Sequence, residues 1–169
     1  MTIEEAIKTA MEYESRVHSV YLDAAKQTDH PTGMRVFQAL ADEEQRHLEY
    51  LQSKLDEWIQ TGRVTFEKLD SIIPPPHVIQ NAVKNLAPTI SVKDPSTEEE
   101  LLEKALDFEI QTSNFFKEML GKLPSEMRKI FARFIEIEEG HVQIVKAEID
   151  AVSGMGFWFD FQEFNLEVE

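Results

Sequence analysis

One pattern constrains this chain more than any other: four amphipathic segments each carry an acidic side chain at mid-length, on the face that should be buried. From Thr2 to about Gln27 the residues Ile3, Ile7, Ala10, Val17, Tyr21 and Ala24 recur at helical intervals, with Glu14 between Ala10 and Val17. In the second segment, about Thr32 to Gln60, Phe37, Leu40, Leu51, Leu55 and Trp58 form the stripe, and Glu44 and His47 interrupt it. Glu109 lies between Ala105 and Thr112 in the third, about 97–120. Glu138 and His141 lie between Phe134 and Val145 in the fourth, Ser125 to about Val152, whose stripe also holds Met127, Phe131 and Ile149. Mid-helix positions of an up-and-down bundle share one height, so these six side chains can converge on one volume.

The segment ends carry their own signals. Thr2 and Glu5 have the spacing of a capping box, Pro31 and Gly33 break the chain in "TDHPTG", and Gly62 stands where a C-terminal cap belongs. Ser96 or Thr97 can cap the third helix, where Glu98, Glu99 and Glu100 face the positive end of the helix dipole. "GKLP" at 121–124 makes a tight turn. Residues 62–96 hold Pro74, Pro75, Pro76, Pro88 and Pro95 with one short helical candidate, "HVIQNAVKNL", and are expected to be a connection. Two short-looped pairs joined by that crossover predict an all-α fold: an antiparallel four-helix bundle with one long crossover between helices 2 and 3. A length of 169 residues fits a single domain, 1–169, that buries its own core. The aromatic-rich tail, 154–169, is expected to cap the bundle or a neighbouring subunit; exposed aromatics there would need cover, which favours a homodimer.

Composition narrows the chemistry. The chain has no cysteine, which removes disulfides, thiol nucleophiles and thiolate-held metals and leaves O and N ligands. A net charge of −15 disfavours nucleic acid and anionic membrane surfaces and favours cations. No apolar run approaches the roughly 18 residues of a membrane helix, and the acidic, amphipathic "MTIEEAIKTAMEYE" is unlike a signal peptide, so a soluble cytoplasmic protein is expected.

Burying four carboxylates uncompensated costs several kcal/mol per ion, more than a domain can spare. Protonation or basic partners are the simple remedies, yet no Lys or Arg occupies a core position beside the six. Two divalent cations balance four negative charges, and Glu-x-x-His places both side chains on one helix face, within reach of one ion. With 23 Glu and five His, chance alone yields roughly 0.7 such pairs, so two are weak evidence by themselves. The register adds weight: Glu14 to Glu109 is 95 residues, and Glu44 to Glu138 and His47 to His141 are each 94. A self-satisfied polar core is the alternative.

The segments "EYESRVHSVY", "ADEEQRH", "DFEIQTSNFF" and "EIEEGH" resemble, in order and spacing, the four ligand-bearing helices of a rubrerythrin-type member of the ferritin-like superfamily, over about residues 3–152. That superfamily takes one Glu from each of two helices and a Glu-x-x-His from each of the other two. The resemblance implies a carboxylate-bridged centre of two iron ions, with manganese suited to the same ligands, that reacts with hydrogen peroxide or dioxygen. It implies Glu14, Glu44, Glu109 and Glu138 as carboxylate ligands and His47 and His141 as imidazole ligands. Tyr21 resembles the family's tyrosine beside the ligands, expected to hydrogen-bond one of them; Phe116 holds the matching place in the second half. The chain departs from the family twice. Without cysteine it holds no rubredoxin-type iron, so electrons must come from a separate donor protein, and Thr112 stands where rubrerythrins carry a further glutamate. The implied activity is peroxide- or oxygen-reducing oxidoreductase chemistry; an iron-binding protein that oxidises Fe²⁺ only in passing is the alternative.

The neighbouring polar residues have ordinary explanations. His18 is expected at the surface or behind the ligands, and His30 and His77 in exposed turns. Glu43 and Glu139 point some 100° away from the adjacent ligand positions and are expected on solvated faces.

Overall fold

The computed structural model describes residues 1–74, 77–79, 95–156 and 158–161. Helix α1 spans Ile3–Gln27 and α2 Pro31–Thr61. Helix α3 spans Pro95–Leu120 and α4 Ser125–Asp150, followed by one π-helical turn, Ala151–Met155. Among the described residues there is no strand. The Thr2–Glu5 capping box opens α1, the Glu5 carboxylate accepting from Thr2 N–H at 2.7 Å and Thr2 Oγ1 from Glu5 N–H at 3.1 Å. Gly62, at φ 69°, ends α2 in the left-handed conformation that glycine adopts without strain. Two expectations need correction at helix starts. Pro95 already lies in α3, so Ser96 and Thr97 sit inside its first turn instead of capping it. His30 is half-buried and caps α2, its Nδ1 accepting from Thr32 N–H at 3.2 Å.

Cross-helix pairs give the directions. Thr28 meets Glu98, Tyr21 meets Glu109 and Tyr13 stacks on Phe115, so α1 and α3 run antiparallel. Glu43 faces His141 while Tyr50 packs on Phe134, so α2 and α4 do likewise. The interior divides into two apolar blocks. One gathers Val17, Val20, Phe37, Leu40, Leu102, Ala105, Ile144 and Val145; the other Ile7, Leu51, Phe115, Phe116, Met127, Ile130 and Phe131. The six polar residues of the stripes lie at the heights between them.

The described part of the crossover is a strap laid along α2 and α4. Tyr50 Oη donates to Glu67 O at 2.6 Å, Arg133 Nε to Leu69 O at 2.8 Å, and Ser71 Oγ and Ile72 N–H both donate to the Glu43 carboxylate. Lys54 is buried beneath it, 3.3 Å from Glu57 and 3.4 Å from Glu67. Of the helical candidate at 77–86, residues 77–79 are helical and the rest lies outside the described residues.

At the C-terminal end of the described residues, Trp158, Phe159 and Phe161 are buried in the first apolar block. A Cβ on Gly33 would come within 2.7 Å of the Trp158 ring, so the indole seats on α2 only because that residue is glycine. Glu148 goes inside with the tail, its Oε1 accepting from Phe159 N–H at 2.9 Å, and Ile149, expected in the stripe, is half-buried. The exposed aromatics invoked for a homodimer are therefore covered by their own chain at these three positions; Phe157 and residues 162–169 lie outside the described residues.

Candidate metal centre

Glu14, Glu44, His47, Glu109, Glu138 and His141 each have 0% exposure and meet in one layer. His47 Nδ1 lies 3.3 Å from Glu44, 3.5 Å from Glu14 and 3.6 Å from Glu138. His141 Nδ1 lies 2.9 Å from Glu44, 3.0 Å from Glu109 and 3.9 Å from Glu138. The two imidazoles stack with centroids 5.4 Å apart. Among the described residues potential donor atoms form three sets, each within 4.8 Å: Glu43–His47–His141 on the outer side, and two four-residue sets, Glu14–Glu44–His47–Glu138 and Glu44–Glu109–Glu138–His141. Glu44 and Glu138 belong to both. The sets interchange when Glu14 is exchanged for Glu109, Glu44 for Glu138 and His47 for His141, which is the sequence register turned into a pseudo-two-fold arrangement.

As protein alone, this layer is electrostatically incomplete. Glu14 Oε1, Glu109 Oε2 and both oxygens of Glu44 and of Glu138 are buried without a hydrogen-bond partner. Burial, the largest influence, pushes the Glu109 carboxyl up to about 8. Glu14 and Glu138 move up for the same reason, reinforced by the charge of Glu44 on Glu14 and of Glu14 on Glu138. Burial also opposes charge on the imidazoles, but the surrounding carboxylates outweigh it and both histidines rise well above their ordinary value. Unpartnered oxygens converging around two points, with protons standing in for missing positive charge, suit divalent cations.

Tyr21 donates to Glu109 Oε1 at 2.5 Å, the hydrogen bond expected of it. Phe116 stacks on Phe134 at 4.8 Å, and Phe134 turns its edge to His47 at 5.5 Å, forming the apolar floor. Thr112 Oγ1 donates back to Phe108 O at 2.8 Å, within its own helix. His18 is half-buried and belongs to neither donor set, His77 is exposed, and Glu139 is exposed and paired with Lys117 at 3.0 Å.

Glu43 overturns its expectation of a solvated face. It is fully buried, and its Oε1 lies 3.3 Å from His141 Nε2 and 3.7 Å from His47 Nε2. Burial, its largest influence, would raise the carboxyl, yet the contacts from His141 and His47 draw it well below the carboxylate range. One carboxylate thus faces the outer nitrogens of both imidazoles while their Nδ1 atoms face the four central acids. The strap buries it, through Ser71 and Ile72, and that contact spans almost thirty residues. The local signal was the Glu43–His47 spacing of four, which puts both on one helix face.

Residues 1–55 match the Rubrerythrin family model, a span that includes Glu14, Glu44 and His47. No curated protein and no solved structure matches the chain significantly. No helix among the described residues is long and apolar enough to cross a membrane. That match spans α1 and most of α2, a third of the chain, so this part is similar to rubrerythrins, and the all-helical bundle accords with a ferritin-like fold.

Proposed function

We propose that Glu14, Glu44, His47, Glu109, Glu138 and His141 hold two iron ions, and that the protein is a cytoplasmic oxidoreductase reducing hydrogen peroxide or dioxygen with electrons from a separate donor protein. Two four-residue donor sets that share Glu44 and Glu138 carry this proposal. Manganese fits the same ligands. Iron held there would supply one electron per ion to a small oxidant, matching the two electrons that peroxide takes up.

The chain's own residues do the rest. Tyr21 fixes Glu109 Oε1 by its hydrogen bond and keeps a proton within reach of the centre. Glu43 faces Nε2 of both imidazoles and so orients Nδ1 inward, the usual task of an outer carboxylate. The apolar blocks above and below keep bulk water away. Replacing Glu43 with Ala is expected to weaken metal binding by about 10–100-fold while two ions still bind at saturation; isothermal titration would read both quantities, and an unchanged affinity would remove Glu43 from this role.

Thr112 favours a second reading. A threonine there brings no carboxylate and its hydroxyl bonds its own helix, so among the described residues Glu109 is the one α3 member of the donor sets, and an iron-handling protein that oxidises Fe²⁺ once needs no more. Anaerobic Fe²⁺-loaded protein mixed with peroxide separates the two. The oxidoreductase consumes about two irons' worth of electrons per peroxide and turns over repeatedly when a reductant is supplied. A single stoichiometric oxidation followed by iron release would favour iron handling.

A further inference from the structure

A line of aromatic rings leaves the polar layer towards the C-terminal end of the chain. Tyr21, hydrogen-bonded to Glu109, has its ring centroid 6.4 Å from that of Phe37, and Phe37 lies 5.2 Å from Trp158, edge to face. Tyr21 and Phe37 have no solvent exposure and Trp158 has 4%. Tyrosine and tryptophan are the oxidisable ends of this line, and phenylalanine bridges them as a π-system in contact with both. Electron exchange falls steeply with distance and with gaps between groups, so rings in contact form a better conductor than the aliphatic side chains elsewhere in that block. The seat is built for the indole: at Gly33 any side chain would collide with it.

We propose that Trp158, Phe37 and Tyr21 are a one-electron relay between the polar layer and the tail. An oxidant that removes one electron from Trp158 leaves a radical cation, which keeps its N–H because Trp158 Nε1 has no acceptor among the described residues. An electron from Tyr21 then crosses Phe37 and restores Trp158, and the Tyr21 phenolic proton passes along its hydrogen bond to the ionised Glu109 carboxylate, leaving a neutral carboxyl and a tyrosyl radical. Run the other way, the line lets an oxidising equivalent leave the centre for a reductant at the tail. That use rests on the proposed redox function; the conductivity does not, and it is testable without metal.

The chain has two Trp and three Tyr, so a Trp58→Phe, Tyr13→Phe, Tyr50→Phe background leaves Trp158 and Tyr21 as the only residues of their kinds. Flash-generated tris(bipyridine)ruthenium(III), a cation suited to a protein of charge −15, serves as oxidant for the metal-free protein at about pH 9, where the Glu109 carboxyl is ionised. Transient absorption is expected to show the tryptophan radical first and the tyrosine radical growing in as it decays. Phe37→Leu is expected to slow that transfer at least tenfold, and Trp158→Phe to cut the tyrosine radical yield at least fivefold, circular dichroism confirming that each variant is folded. Transfer unchanged in Phe37→Leu, or a tyrosine radical formed in full without Trp158, would overturn the relay. Loss of metal binding in any separate experiment would leave this result untouched.

Discussion

Replacing Glu44 with Ala is expected to remove both metal ions from the protein, whereas Glu109→Ala is expected to remove one. The difference follows from membership: Glu44 and Glu138 offer oxygens to both donor sets, while Glu109 serves only the set with His141 and Glu14 only the set with His47. Anaerobic Fe²⁺ titration should therefore fall from two ions per chain to none in Glu44→Ala and to one in Glu109→Ala or Glu14→Ala. Helicity should survive, because the apolar blocks on either side of the layer are untouched. Stability of the metal-free protein should move the opposite way. Glu138→Gln replaces a buried carboxyl whose oxygens lack partners with a neutral group of similar shape, and is expected to raise metal-free stability by about 1–4 kcal/mol while abolishing binding. Equal losses in all variants, or two ions retained by Glu109→Ala, would refute the division into sets.

The metal-free protein is expected to lose stability as pH rises from about 5 to about 9. The Glu109 carboxyl titrates at about 8 in the folded chain against 4.5 when free, and Glu14 and Glu138 shift the same way, burial being the main cause in each. Between those values the folded chain holds protons that the unfolded chain has released, so each pH step costs the folded state. His47 and His141 add to the trend: their contribution is complete below 6.5 and is lost as pH climbs through their raised values. Glu43 and Glu44 are lowered; their contribution is present above 4.5 and fails only in acid, so it does not change across this window. A net loss of a few kcal/mol corresponds to a fall in Tm of roughly 10 °C for a chain of this size. Two equivalents of Fe²⁺ under anaerobic conditions should stabilise increasingly as pH rises, since binding replaces protons and proceeds more readily when they have already left. Calorimetry at pH 5, 7 and 9, with and without metal, reads both effects; a metal-free Tm that is flat or rises would contradict them.

Much of this was legible from spacing alone. The stripes of α1, α2 and α4 and the intrusions at Glu14, Glu44, His47, Glu109, Glu138 and His141 are local periodicities, and a helix converts them directly into a face. Tyr21 was expected beside the ligands from the family resemblance; that its partner is Glu109 of α3 emerges only in the fold. What escaped depended on contacts between distant segments. Glu43 is turned some 100° from Glu44, so it read as solvated although its spacing of four from His47 keeps it near the ligand face; the strap, through Ser71 and Ile72, covers it. Glu148 is inside because the returning tail supplies the Phe159 N–H, and Lys54 is buried because Glu67 of the strap lies over it. The connection at 62–96 read as a spacer because it carries no periodic signature, yet its described residues 67–72 pair with Tyr50 and Glu43 of α2 and with Arg133 of α4.

The central claim, that a pair of cations neutralises the acids and imidazoles of this layer, is tested most directly by elemental analysis of the protein purified without chelators. Two equivalents of iron per chain, falling to none in Glu44→Ala, are expected. A fully folded protein that carries no transition metal and takes up none on anaerobic addition of Fe²⁺ or Mn²⁺ would contradict it.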